Sequence, residues 1–158
     1  MFTLTTNAKF DELERLIGKI ARPGAGETRK IADGIRQEFQ RNFSGQGSGF
    51  GRWAGLAQST VTQRRQLGYS GERPILVRSG GYRSSFVQRG GDNHESIQTT
   101  GFGLIIDVGS NDRRAVFHER GTRNMPQRSV TMLTDDGENR LARMVDFVIE
   151  QIERREWK

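Results

Sequence analysis

Residues 28–43 read TRKIADGIRQEFQRNF and place Ile31, Ile35, Phe39 and Phe43 at successive intervals of four. Apolar side chains at that interval share one face of an α-helix, because a helix turns once every 3.6 residues. The opposite face carries mostly charged and amide side chains. The pattern predicts an amphipathic helix that packs its isoleucine and phenylalanine side chains into the core of the protein.

Two further amphipathic helices are predicted, one on each side of this segment. Residues 7–20 place apolar side chains at helical spacing behind Asn7 as N-cap, and the Arg-Pro-Gly sequence at residues 22–24 ends that helix. Residues 135–157 form a long final helix with a continuous apolar stripe. That stripe consists of Leu141, Met144, Val145, Val148, Ile149 and Ile152.

Three short helices are expected in the middle of the chain, at residues 59–67, 79–86 and 115–119. Ser59 and Ser79 are expected to cap the first two, because a serine hydroxyl accepts a hydrogen bond from a free amide of the first helical turn. A glycine that follows the third helix is expected to end it.

Between the short helices the sequence pattern changes to that of strands. Residues 96–100 and 104–108 flank a Gly-Phe-Gly turn and predict a β-hairpin. Residues 129–133 are expected to return to the sheet as a further strand. The predicted fold class is therefore α+β, with two N-terminal helices, a small, mainly antiparallel sheet and a long C-terminal helix across one face.

The length of the chain predicts a single domain that spans residues 1–158. Glycine and serine are concentrated at residues 44–51, and residues 68–74 form another polar stretch. We expect both stretches to be flexible loops, since their side chains bury too little apolar area to offset the entropy of ordering.

The composition argues against several classes of protein. The chain contains no cysteine, so it forms neither a disulfide nor a thiolate metal site. Its two histidines, His94 and His118, lack the spacing of a zinc site, and no cofactor is predicted. The N-terminal residues lack the pattern of a signal peptide, and no apolar run is long enough to cross a bilayer. We therefore expect a soluble protein that is made in a cytoplasm.

Two blocks of the chain contain short motifs in a recognisable order. Residues 52–86 have a tryptophan before a leucine, then a threonine, a basic pair and a Leu-x-x-Ser-Gly turn that enters a short hydrophobic segment. Residues 117–128 have an aromatic-His-x-x-Gly step and then a Pro-x-Arg step. In this order the blocks resemble the phage virion-morphogenesis family, whose members complete the tail or neck of a tailed phage. The positions that carry the resemblance are Trp53, Leu56, Leu76, Gly80, Tyr82, His118, Gly121, Pro126 and Arg128.

The resemblance implies a non-enzymatic structural protein of a phage or prophage. Such a protein terminates the tail at the neck and allows the head to join, as a homo-oligomeric ring that is sixfold to match the tail tube. Its partners would be the tail tube and the neck or connector proteins, and no membrane. Its location would be the tail–neck region of the virion, after synthesis in the cytoplasm of the bacterial host. The motif residues would then be structural, His118 included.

The net charge of +6 is concentrated in one part of the chain. Residues 51–91 carry seven arginines against a single acidic residue. Arginine binds carboxylates and phosphates with two parallel hydrogen bonds, so these side chains suit subunit interfaces, DNA in a channel or solvent. The interface interpretation is favoured, and a basic DNA-binding module is the alternative function. The candidate residues are Arg52, Arg64, Arg65, Arg73 and Arg78.

Three other features suggest chemistry at first sight. His118 beside Glu119, with Asp107 as a third group, would indicate a hydrolase, but no nucleophile accompanies them. The acidic residues at 135–138 would suit a metal, but their position at the start of a helix favours a capping role. The glycines of residues 45–51 lack the Gly-Lys-Ser/Thr ending of a phosphate-binding loop. The chain is therefore predicted not to be an enzyme.

Overall fold

The computed structural model describes residues 24–100 and 103–156, and the helix predicted at residues 7–20 lies outside these ranges. The described chain has an α+β fold with an antiparallel pair of strands and a long C-terminal helix, which confirms the predicted fold class. Its elements are, in order, α1 (Ala25–Gly45), a 3-10 helix (Ser48–Phe50), α2 (Gln58–Gln66), α3 (Gly81–Val87), β1 (Asn93–Thr100), β2 (Gly103–Ser110), α4 (Ala115–Arg120) and α5 (Asp135–Glu156).

Helix α1 confirms the prediction for residues 28–43 and extends beyond it at both ends. The Glu27 carboxylate accepts a hydrogen bond from the amide of Gly24, which satisfies a free donor at the N-terminus. The helix ends where Gln46 adopts the left-handed conformation, at φ 52°. Residues 44–51, predicted as a loop, are therefore partly helical, because α1 continues to Gly45 and the 3-10 helix follows.

The core is built around the aromatic end of α1. The rings of Phe39 and Phe86 meet edge to face with centroids 5.7 Å apart, and those of Phe43 and Trp53 meet in the same way at 5.8 Å. The rings of Tyr82 and Phe86 also meet edge to face, with centroids 5.3 Å apart. Edge-to-face pairs of this kind add roughly 0.5–1.5 kcal/mol each to the stability gained by burial. Trp53 and Tyr82, from the two ends of the first motif block, are thus packed against the same helix.

Helix α5 packs along α1 and confirms the long C-terminal helix. Leu141 and Val148 are buried between the two helices and the rest of the core. A Cβ atom on Gly34 of α1 would lie 2.3 Å from the sulfur of Met144, so the absence of a side chain there lets the helices approach closely. Arg140 donates two hydrogen bonds to the buried carboxylate of Glu38, at 2.9 and 2.7 Å.

The two strands form the predicted hairpin in an antiparallel register that runs from Asn93↔Ser110 to Thr100↔Gly103. Val108 is buried against the helices. Arg36 of α1 forms an ion pair with Glu95 and donates a hydrogen bond to Asn93 at 2.9 Å. The hairpin is therefore attached to α1 by polar contacts as well as by apolar packing.

The further strand predicted at residues 129–133 is wrong, since the sheet of the described chain contains only β1 and β2. In this segment, side chains form the backbone hydrogen bonds that a neighbouring strand would otherwise form. The carbonyl of Val130 accepts a hydrogen bond from Asn42 at 2.8 Å, and its amide donates to Glu119 at 2.7 Å. The carbonyl of Ser129 accepts from Trp53 at 3.0 Å. Val130 is buried, and the segment pairs with no strand of the described sheet.

The two serine caps are also wrong. Ala57 occupies the N-cap position of α2, and Gly80 occupies that of α3 with φ 86°. A left-handed residue is needed to turn the chain into α3, and glycine adopts that conformation without steric cost, whereas serine does not. Among the helices that the structure describes, none is both long and apolar enough to cross a membrane.

Candidate functional site

The residues of the two motif blocks meet in one part of the molecule. Arg128 is 4% exposed, and its guanidinium donates to the carbonyls of Ala54 at 2.8 Å and Gly55 at 2.7 Å. Trp53 donates in the opposite direction, to the carbonyl of Ser129 at 3.0 Å. Two extended segments, far apart in sequence, are joined by these three bonds. We call the group Trp53, Ala54, Gly55, Arg128 and Ser129 the arginine clamp.

The indole ring of Trp53 in the clamp packs directly against the backbone of Gly47. Its φ is +72°, and a Cβ atom there would lie 2.5 Å from the indole ring of Trp53. Both the left-handed conformation and the close approach of the ring require glycine. The glycine-rich stretch after α1 therefore has a specific packing role at this position.

His118 and Tyr82 pack against each other beside the clamp. Their ring centroids are 5.1 Å apart, and the His118 carbonyl accepts a hydrogen bond from the Arg128 amide at 2.8 Å. Burial lowers the pKa of His118, and the nearby charges of Arg128 and Arg114 lower it further. Its Nδ1 has no hydrogen-bond partner among the described residues. The neutral imidazole thus packs as an aromatic ring.

Tyr82 is itself buried, and burial raises the pKa of its hydroxyl, followed by the charge of Glu119. The guanidinium of Arg114 lies over its ring, 5.4 Å from the centroid. The side chain therefore lies between an imidazole and a cation, with its hydroxyl kept protonated.

The carboxylate of Glu119 accepts three hydrogen bonds from residues 129–131. It accepts hydrogen bonds from the Ser129 hydroxyl at 2.6 Å, the Val130 amide at 2.7 Å and the Thr131 hydroxyl at 2.8 Å. Asp107, the third member of the hydrolase alternative, lies on β2 with its carboxylate 3.4 Å from His94. The contacts of Glu119 hold backbone and hydroxyl groups in place, which is a structural use of a carboxylate.

The remaining motif positions shape the chain around the clamp. Gly121 has φ +70°, and a Cβ atom there would lie 2.9 Å from the amide nitrogen of Gln127, so the step from α4 to the Pro126 segment requires glycine. Leu76 also has a positive φ, of 60°, and packs with Leu56 against the core. Pro126 itself is exposed.

The five candidate arginines separate into one internal residue and four surface residues. Arg64 does not lie at the surface, as a side chain that faces a subunit, DNA or solvent would, because it is 5% exposed. Its guanidinium donates to the carbonyls of Pro74 at 3.0 Å and Gly71 at 3.4 Å, and burial lowers its pKa. These bonds hold the loop predicted at residues 68–74 against α2. Arg64 is therefore not available to a subunit or to DNA.

The other four arginines are exposed, and three of them, Arg65, Arg73 and Arg78, belong to α2 and the segment that follows it. Arg65 lies 3.6 Å from Glu72, both side chains being well exposed, so the pair contributes little to stability. Arg78 lies over the ring of Tyr69, 5.8 Å from its centroid. We call Arg52, Arg65, Arg73 and Arg78, with Tyr69 among them, the basic surface.

The other candidate sites take structural positions. Residues 135–138 form the first turn of α5, where Gly137 donates its amide to the Thr134 hydroxyl at 3.0 Å. Within the described ranges, no group of three or more His, Asp or Glu side chains is arranged to hold a metal ion. Sequence reasoning missed Asn42 and Gln46, whose amide groups bond to distant backbone, and only their place beside a buried helix face hinted at this role.

Comparison with known proteins adds no relative, since no family model, no curated protein and no solved structure matches the chain.

Proposed function

We propose that the protein is a structural component of a tailed phage or prophage that completes the tail at the neck and allows heads and tails to join. It acts as a homo-oligomeric ring, sixfold to match the tail tube, in contact with tail-tube and neck proteins. It does so in the virion, after synthesis in the cytoplasm of the host. The proposal begins from the resemblance of the two motif blocks to the virion-morphogenesis family.

The observation that supports this proposal best is the convergence of those blocks on the arginine clamp. Trp53 from the first block and Arg128 from the second bond to each other's backbone segments, and Tyr82 and His118 pack beside them. Residues that support one scaffold are expected of a family whose role is assembly. Their polar groups bond to the protein's own backbone, so they leave little to act on a substrate.

The first experiment measures the native mass of the purified protein alone and with isolated tail tubes. We expect a closed oligomer, six copies in mass, that persists in high salt and binds to the tube end. Deletion of the gene from the phage or prophage that carries it should leave complete heads unattached to tails. A protein that is monomeric at every concentration, and whose loss leaves head–tail joining intact, would contradict the proposal.

A DNA-binding module is the second candidate, and the basic surface is the observation that favours it. The exposed Arg78 lies over the exposed ring of Tyr69, and arginine with an exposed aromatic ring suits a phosphate backbone with unstacked bases. Affinity that depends on phosphate contacts falls steeply as salt rises, whereas a ring held by buried contacts does not. Filter binding of DNA across a salt series, with native mass measured at the same points, separates the two functions.

An assembly protein has no turnover, so hydrolase and nuclease assays provide an independent test. We expect no activity against esters, peptides or DNA, with or without added divalent metal. Activity that is lost in His118→Ala, while the melting temperature is retained, would overturn the proposal in favour of the catalytic interpretation of His118 and Glu119.

A further inference from the structure

Helix α1 packs against α5 on one side and borders an open groove on another. Gly34 and Glu38 face α5, through Met144 and Arg140. Gln40 and Ser44, each six residues further along, line a groove. Six residues turn a helix about 120° short of two full turns, so the groove and α5 lie on separate sides of α1.

The groove is open and mainly apolar, with a volume of about 430 Å³. Phe43, Pro74 and Val77 supply its apolar lining. Arg73 and Arg83 supply its charge, and Arg83 is held in place by a hydrogen bond from its Nε to the Gln40 side chain at 3.0 Å. Such a groove suits an apolar side chain that has carboxylates next to it.

The outer face of α5 presents a side chain of that kind. Phe147 is 54% exposed, and the exposed acidic residues Asp146 and Glu150 lie beside it on the helix. Arg143 and Arg154 share this face, and Arg154 lies 3.7 Å from Glu150. Both side chains of that pair are well exposed, so the pair contributes little and an arginine of the groove can replace Arg154 in it.

Four other exposed apolar side chains of the described chain lie in basic surroundings. Leu67 and Tyr69 lie on the basic surface near Arg65 and Arg78. The exposed pair Val116 and Phe117 also has basic neighbours, since it lies in an arginine-rich stretch of sequence. Among the residues that the structure describes, Phe147 is the exposed aromatic side chain whose acidic neighbours match an arginine-lined groove.

We propose that copies of this chain associate head to tail, with Phe147 of one copy seated in the groove of the next. Asp146 and Glu150 then face Arg73 and Arg83. The inference rests on the ring proposed above and names the two faces that form it. Because the faces differ, the contact is heterologous, and it repeats around a ring when the rotation between copies closes.

A second copy suits the groove better than DNA does. A phosphodiester backbone would pair with Arg73 and Arg83 but would leave the Phe43, Pro74 and Val77 lining without an apolar partner. The phenyl ring of Phe147 removes that apolar area from water, and its acidic neighbours meet the arginines at the same time. The steering effect of opposite charge also favours one orientation of approach.

The test uses two double variants of the full chain. The first is Arg73→Glu with Arg83→Glu, which reverses the groove. The second is Asp146→Arg with Glu150→Arg, which reverses the outer face of α5. Each variant alone places like charges together at every contact, so we expect each to be monomeric by native mass. All four side chains are on the surface, so the melting temperature should stay close to that of the wild type.

Mixing the two variants is the decisive step. The reversed groove of one then meets the reversed α5 face of the other, and the two unchanged faces also match. We expect the wild-type mass to return, with the variants alternating in equal numbers. A matched control, Arg113→Glu with Arg123→Glu, alters exposed arginines outside the groove and should assemble as the wild type does.

The apolar part of the contact is tested by Phe147→Ala, which should weaken association roughly tenfold or more, as truncation of a buried aromatic anchor does. Wild-type assembly that is unchanged in both double variants would overturn this inference and leave the proposed ring intact. A wild-type monomer would overturn both. Unchanged assembly with DNA retention lost in the groove variant would assign Arg73 and Arg83 to DNA.

Discussion

The arginine clamp and the basic surface use the same side chain in opposite ways. Arg128 is buried and its guanidinium donates to two backbone carbonyls, whereas the side chain of Arg65 is 60% exposed and lies 3.6 Å from the still more exposed carboxylate of Glu72. Even sequence neighbours divide in this way, since Arg64 is buried beside the exposed Arg65. An arginine-rich segment therefore supplies both internal connectors and surface charge, and its net charge overstates what a partner meets.

The largest effect is expected at the clamp. Arg128→Ala removes the donor to the carbonyls of Ala54 and Gly55 and truncates a buried side chain, and hydrogen bonds to a charged group contribute about 1.5–3 kcal/mol each. We expect the free energy of unfolding to fall by about 3 kcal/mol or more in urea denaturation. Arg123→Ala, at an exposed position, is the control and should change it by less than about 0.5 kcal/mol. Similar losses in the two variants would refute the special role of the clamp.

The second prediction concerns Gly47, whose backbone packs against the Trp53 ring of the clamp. Gly47→Ala forces a Cβ atom to within 2.5 Å of the indole ring and also strains a left-handed backbone, so we expect a loss of about 2–3 kcal/mol. Gly68 has a similar φ of +76° with open space around it. Gly68→Ala should therefore show only the backbone cost, about 1 kcal/mol. Equal losses in thermal melts would show that packing on the tryptophan is unimportant.

Arg64 and Arg65 provide the most direct form of the comparison. Arg64→Ala removes the donor to Pro74 and should lower the free energy of unfolding by about 2 kcal/mol. Arg65→Ala should change it by no more than about 0.5 kcal/mol. The structure also predicts faster proteolysis within residues 68–74 in the first variant alone. An equal response of both variants would place Arg64 on the surface after all.

The smallest effect is a pH dependence at His118. Its pKa is lowered in the folded protein, so between that value and the ordinary value of about 6.5 the unfolded chain binds more protons. Stability that is present near pH 7 should therefore be lost as the pH falls through about 6.5 towards the lowered pKa. His118→Phe keeps an aromatic ring against Tyr82 and should reduce this loss. A stability profile that is identical in the variant between pH 7 and 5 would exclude the effect.

The sequence predicted well those elements whose signal lies in their own residues. The interval of four in residues 28–43 and the stripe of residues 135–157 place apolar side chains on one helix face, and α1 and α5 follow them. The hairpin was likewise predicted from alternation and a glycine-containing turn. Local patterns of this kind are independent of the rest of the fold.

The failures share a different cause, since each depends on contacts with distant residues. Residues 129–133 resemble a strand, but Asn42, Trp53 and Glu119 supply the hydrogen bonds that a neighbouring strand would have provided. Arg64 resembles a surface residue because its acceptors, seven and ten residues further along, are plain carbonyls that leave no mark in the sequence. Its one sign was the spacing of three from Val61, which is also buried.

The hairpin gives the protein a measurable signature in hydrogen exchange. In an antiparallel pair of strands, every second amide points away from the partner strand, and the described sheet has no third strand to receive it. Amides along β1 and β2 should therefore exchange with deuterium in an alternating pattern of slow and fast positions. Any assembly that adds a strand to either edge would protect the fast positions of that edge. Hydrogen exchange of the hairpin amides would thus detect a strand added by a partner, without any substitution in the chain.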